Sequence, residues 1–127
     1  MPAEAYQYAT WRIVPAIERG EFINAGVIVF ARRHKFLKAL TYVDEARLLA
    51  LDPSIDLENV RLHLNVREAI AAGDPKGGPV ASQPQSERFG WLVAPSSTVI
   101  QPSQVHTGIC DDPHGLLDHL FKRLVKT

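Results

Sequence analysis

The chain has one cysteine, Cys110, so no disulfide can form within it, and no pair of cysteines can hold a metal ion. It has no excess of either charge: Lys plus Arg and Asp plus Glu stand at 14 each, which leaves no global field to draw nucleic acid or an anionic membrane. No apolar run approaches the roughly 20 residues a membrane-spanning helix needs. No glycine-rich loop of the phosphate-binding kind is present, and no internal repeat. The opening Met1-Pro2-Ala3-Glu4-Ala5 lacks a basic segment followed by an apolar one, so no signal peptide is expected. These absences point to a cytoplasmic protein without a membrane anchor.

What is present suits one globular domain. A length of 127 residues, 46% of them hydrophobic, supplies a core of normal size, and 1–127 reads as a single domain. The strongest apolar run is Val27-Ile28-Val29-Phe30, β-branched and aromatic, as a buried strand requires. We place strands over Tyr6–Val14, Ala25–Ala31 and Phe36–Val43. In the first, Tyr6, Tyr8, Thr10 and Arg12 share one face and Trp11 and Ile13 the other. Gly20 is available for a positive φ, and Gly26 suggests a bulge or a close backbone approach. The short link Arg32-Arg33-His34-Lys35 makes the second and third strands an antiparallel hairpin with a basic tip.

Asp44 is placed to cap a helix over Glu45–Leu51. The segment from Asp56 to Ala72 carries both strand alternation and helical spacing. An Asp56 cap, an alanine-rich end and Gly73 followed by Pro75 decide for helix. Gly73 to Gln85 reads as a mobile surface loop. Ser86–Leu92 reads as a helical turn, Thr98–Gln101 as a short edge strand ended by Pro102, and Val105–Cys110 as an extended piece. A last helix opens at Asp112-Pro113 and buries Leu117, Leu120, Phe121, Leu124 and Val125. The fold class is therefore α+β, an antiparallel or mixed sheet with an N-terminal three-strand meander and helices packed on one face.

Several residue groups carry chemistry. Glu21 and Asn24 stand at the mouth of the second strand, where a carboxylate and an amide can bind substrate or act in proton transfer; a turn satisfying its own amides explains them equally. His106, Cys110, Asp111 and Asp112 are of metal-ligating types, but their spacing matches no zinc signature, and His114 and His119 diverge on a helix. Neither a metal nor another cofactor is implied. Cys110 reads as a buried inert thiol. Ser96, Ser97 and Thr98 can present hydroxyls to a phosphate or form a hydroxyl-rich turn. Arg32, Arg33, Lys35 and Lys38, with Phe36 to stack, make a nucleic-acid surface only against the neutral net charge. Among Trp11, Phe89, Trp91 and Phe121, an exposed ring would mark an interface.

Two stretches belong together. Trp11-Arg12-Ile13-Val14-Pro15, then Arg19-Gly20-Glu21-Phe22-Ile23-Asn24-Ala25-Gly26-Val27-Ile28, is the first. Arg88-Phe89-Gly90-Trp91-Leu92, then Ala94 to Ser103 and Val105-His106-Thr107-Gly108, is the second. In both, the chain resembles the bacterial domain-of-unknown-function family three-zero-three-seven, whose genes often lie beside those of HipA-like kinases. The resemblance implies a binding or regulatory partner of such a kinase, or a homodimer. It points to Arg19, Glu21, Asn24, Gly26, Arg88, Ser96, Ser97, His106 and Thr107 without assigning them roles. The alternative is a small hydrolytic or phosphate-handling enzyme whose site joins Glu21 and Asn24 to Arg88 and His106. That reading requires the four to converge.

Overall fold

The computed structural model describes residues 3–96 and 98–126. Met1 and Pro2, read above for a leader, Thr127, and the candidate Ser97 lie outside the described residues. The chain runs β1 (Glu4–Ile13), β2 (Ile23–Ala31), β3 (Phe36–Thr41), α1 (Glu45–Leu51), α2 (Leu57–Ala72), α3 (Gln85–Leu92), β4 (Ile100–Pro102), β5 (His106–Cys110) and α4 (Pro113–Leu124). Every strand pairing is antiparallel. The sheet runs β3-β2-β1-β4, and β5 also pairs with β1. The strands β1, β2 and β3 form the expected meander, and the whole is an α+β domain.

Alternation along β1 divides its side chains as read from the sequence. Ala9, Trp11 and Ile13 join Ile28, Phe30, Leu37 and Ala39 of the neighbouring strands under Leu48 of α1, Val60, Leu64, Ile70 and Ala71 of α2, and Phe89 and Leu92 of α3. The opposite face of the sheet is also covered. Val27, Val29, Ala31 and Phe36 meet Leu117 and Leu120 of α4 there. This amends the expectation that all helices share one face. The reason is visible in β2, where consecutive residues from Val27 to Ala31 are all buried, so neither face of that strand meets water. A half-wetted sheet would have alternated.

Gly26 serves both purposes expected of it. The β1–β2 register steps from Trp11↔Gly26 to Arg12↔Asn24, leaving Ala25 as the extra residue of a bulge. A Cβ on Gly26 would lie 2.8 Å from Trp11 Cε3, so the bare backbone is what admits the indole. Trp11 in turn donates its Nε1–H to the carbonyl of Leu92 at 3.1 Å, tying β1 to the end of α3.

The caps follow the sequence closely. Asp44, Asp56 and Asp112 accept from the backbone N–H groups of Arg47, Asn59 and Gly115. Gly73 closes α2 at φ 73°, its N–H reaching the carbonyls of Ala69 and Ile70. Leu62, which strand alternation would have buried, is 61% exposed, while Val60 and Leu64 are buried. The stretch after α2, expected as a mobile surface loop, carries local helical order. Two 3₁₀ turns, Pro75–Gly77 and Pro79–Ser82, fold back onto the helix, and Ala81 is buried. Gly77 packs against Ile70 so closely that a Cβ there would sit 2.7 Å from its side chain.

The strands β4 and β5 share one edge of β1: β4 pairs with Trp11, Arg12 and Ile13, and β5 pairs with the run from Glu4 to Tyr8. Ser103 bridges them. Its N–H donates to the carbonyl of Thr10 at 2.8 Å, and its Oγ accepts from the Thr10 N–H at 2.9 Å. A side-chain oxygen thus takes the place of a ladder carbonyl where the chain passes from one strand to the next.

Candidate functional site

The candidate residues that the structure describes fall into separate places. Arg19 and Glu21 form an exposed ion pair at 2.6 Å in the turn before β2. Screened by water, it contributes little. Asn24 faces α4 and donates from Nδ2 to the carbonyl of Leu124 at 3.1 Å, satisfying one of the last carbonyls of that helix. Its Oδ1 is buried and has no partner. Arg88 belongs to the opposite side of the sheet. Its Nη1 donates to the carbonyls of Ile70 at 3.0 Å and Ala71 at 2.8 Å, and its Nε to that of Gln83 at 2.9 Å. A cation at the C-terminal end of α2 is favoured by the helix dipole, and here it staples the two 3₁₀ turns to that helix.

His106 lies on the α4 side of the sheet but far from Asn24. Asn24 pairs with Arg12, and His106 with Tyr8. Four residues of β1 separate those partners, which is about 13 Å. Glu21, Asn24, Arg88 and His106 therefore do not meet in one pocket. The sheet itself stands between Arg88 and Asn24, and the length of β1 between Asn24 and His106. Thr107, next to His106, points to the other face beside Gln7 and Arg33. Ser96 Oγ lies 2.9 Å from Thr98 Oγ1, and the Thr98 hydroxyl donates to the carbonyl of Ile100 at 3.0 Å. These hydroxyls shape their own turn.

The other sequence candidates also resolve. Phe36, offered for stacking at the basic hairpin tip, is buried and meets His114 of α4 edge-on at 4.6 Å. At the tip, Arg33 approaches Glu4 at 3.6 Å and Arg32 lies over the Phe30 ring. Burial pushes the Cys110 thiol up, and Asp111 and Asp112 add to the rise, so the thiolate a nucleophile needs is disfavoured. Among the described residues, no group of three or more His, Cys, Asp or Glu is placed to hold a metal ion. No helix among them is long and apolar enough to cross a membrane.

The structure brings together two features that sequence reasoning did not assemble. The first is the margin of the sheet at β5. The Tyr6, Tyr8 and His106 rings stack in a row, with Tyr6 to Tyr8 at 6.3 Å and Tyr8 to His106 at 5.0 Å. Gly108 leaves room for the Tyr6 ring, which a Cβ there would meet at 2.6 Å. Among the described residues the strand β5 has β1 as its one strand partner, so its other edge is unpaired there. From Val105 to Cys110 it carries no Lys, Arg, Asp, Glu or Pro, and Ile109 is 75% exposed.

The second is a cleft between α2 and the segment leading into β4. Asn59, His63 and Arg67 succeed one another at intervals of four along α2, which aligns them on one face. They line a 220 Å³ cavity closed opposite by Thr98, Val99 and Ile100. Arg67 also lines a second cavity of 220 Å³ with Trp91, Pro95 and Ser96. Trp91 is the exposed member of the four aromatic anchors, at 49%. The polar periodicity on α2 was available in the sequence, but nothing there said which helix face would look onto the distant Thr98–Ile100 segment.

No curated protein and no solved structure matches the chain. A family profile does, over residues 8–125, and it spans both motif stretches and all of the sheet except the first four residues of β1. The chain belongs to that family, described as Protein of unknown function (DUF3037).

Proposed function

We propose that this protein is a binding module whose partner is a HipA-like kinase, and that it takes an extended segment of that partner along the outer edge of β5. The observation that carries the reading is the unguarded edge. Natural edge strands are blunted by lysine, proline, inward charge or a bulge, because unpaired N–H and C=O groups recruit further strands. The edge from Val105 to Cys110 has none of these devices, and it presents Ile109 and the His106 ring beside it. Strand addition draws affinity from main-chain hydrogen bonds and specificity from alternate side chains. The kinase itself comes from the gene neighbourhood that the family resemblance implies.

Co-purification with the kinase encoded beside the gene tests this. A complex that forms with the parent chain and is lost on Ile109→Lys, with the variant folded by circular dichroism, is the expected result. No association between two folded proteins would remove the kinase. A complex indifferent to Ile109→Lys would remove the edge. A chain that is dimeric alone, and monomeric as Ile109→Lys, would replace the kinase with a second copy.

A further inference from the structure

The cleft beside α2 is independent of the β5 edge, and its chemistry points elsewhere. Arg67 is half-buried there, and desolvation holds its guanidinium below the ordinary arginine range. Desolvating a cation is costly unless an anion compensates. Among the described residues Arg67 has no ion-pair partner, and its hydrogen bond is a single one, from Nη1 to the carbonyl of His63 at 3.1 Å. A guanidinium carries five N–H donors in a planar fork, so most of this fork is unused. Those donors are not sealed in protein: none of them is among the buried polar atoms left without a partner. Arg67 lines both cavities, the one beside the α2 flank and the one beside Trp91 and Pro95.

The walls are selective. No Asp or Glu lines either cavity, although the chain has as many acidic as basic residues. Asn59 and His63 extend the donor line on one side of Arg67. On the other side lies Trp91, half-exposed, with Pro95 in the same lining. Val99 gives the opposing wall an apolar surface. A planar fork with free donors fits the oxygens of a phosphate, and an adjacent indole fits a flat ring carried by the same molecule.

We infer that this cleft binds a small phosphate ester bearing an aromatic ring, such as a nucleoside monophosphate, with the phosphate on Arg67 and the ring on Trp91. Arg67 lines both cavities, so a ligand held on its guanidinium can extend into each. No bond is made or broken in this role.

Titration of the whole chain with adenosine monophosphate, inorganic phosphate and adenosine, followed by two-dimensional NMR, tests it. Shifts concentrated on the Trp91 indole N–H, the His63 ring and the Asn59 side-chain amide are expected. Adenosine monophosphate should bind at least tenfold more tightly than inorganic phosphate, and adenosine alone should bind weakly. Arg67→Gln should abolish the response to both phosphates. His63→Ala, at an exposed position that leaves the fold intact, should weaken them severalfold. Absence of shifts at millimolar ligand, or shifts unchanged in Arg67→Gln with its spectrum otherwise native, would overturn the site. Equal affinity for phosphate and nucleotide would overturn the part assigned to Trp91.

Discussion

Arg88 shows how a residue that looks functional in sequence can be committed to architecture. Its three hydrogen bonds end on main-chain carbonyls of Ile70, Ala71 and Gln83. Arg88→Ala takes the guanidinium donor from the part-buried Ile70 and Ala71 carbonyls and from the exposed Gln83 carbonyl. We expect a loss of about 3 kcal/mol, since charged hydrogen bonds carry roughly 1.5–3 kcal/mol and their buried partners cost more when abandoned. Thermal denaturation should read this as a fall on the order of 10 °C. Arg88→Lys should recover only part of it, because an ammonium cannot reproduce the fork. A variant as stable as the parent would show that the carbonyls find other partners.

Glu68 carries the pH dependence. Burial pushes its carboxyl up, against hydrogen bonds from Thr41 and the attraction of Lys38, which pull it down. The folded chain therefore holds this proton more tightly than the unfolded chain. The stability it contributes is fully present below the unfolded carboxylate pKa of about 4.3 and is lost as pH rises through the higher folded value. Glu68→Gln should accordingly raise the unfolding midpoint at pH 7, and the gain should vanish by about pH 4. Melting curves across that range decide it; a gain of equal size at both ends would assign the effect to something other than titration.

At the scale of elements, the glycines separate two situations that a sequence does not distinguish. Gly26 sits in the β2 bulge with the fully buried Trp11 ring above it. Gly90 sits within α3, with nothing near the position of a Cβ. Gly26→Ala must push the indole away from its hydrogen bond to Leu92, at about 1–3 kcal/mol by the usual cost of overpacking. Gly90→Ala should stabilise by up to about 1 kcal/mol, since alanine is the better helix former and meets no neighbour. Opposite signs in chemical denaturation are the expected outcome. A stabilising Gly26→Ala would show that the strand opens easily at the bulge.

The elements also show where local reading sufficed. The three aspartate caps, the Gly73 stop and the Pro113 start lie within a few residues of the groups they serve, so their chemistry is complete in a short window. The choice of helix for α2 rested on such end signals rather than on its periodicity, which was ambiguous. The two 3₁₀ turns after α2 are not legible in a short window, for the converse reason. What orders them is Arg88, more than a helical turn downstream, and the flank of Ile70.

For the whole molecule, the sheet has two unequal coverings. One face lies under α1, α2 and α3; the other lies under α4 over β2 and β3, while Tyr6, Tyr8 and His106 continue the face towards β5. That asymmetry leaves the β5 margin as an open edge and the α2 flank as a cleft. Both proposals rest on it. Neither draws on the convergence of Glu21, Asn24, Arg88 and His106, which the layered arrangement forbids because the sheet separates Arg88 from Asn24.

The sequence by itself determined the α+β class, the N-terminal meander, the division of β1 into two faces and the ends of the helices, because each depends on side-chain period or on caps acting across a few residues. It also carried the family, through motifs read in order along the chain. Only the tertiary structure decided that α4 crosses to the far face, that Arg88 serves the end of α2, and that Arg67 looks onto Trp91 and Val99. Those outcomes depend on which distant surfaces are buried against each other, and burial is a property of the assembled layers that no local window of residues contains.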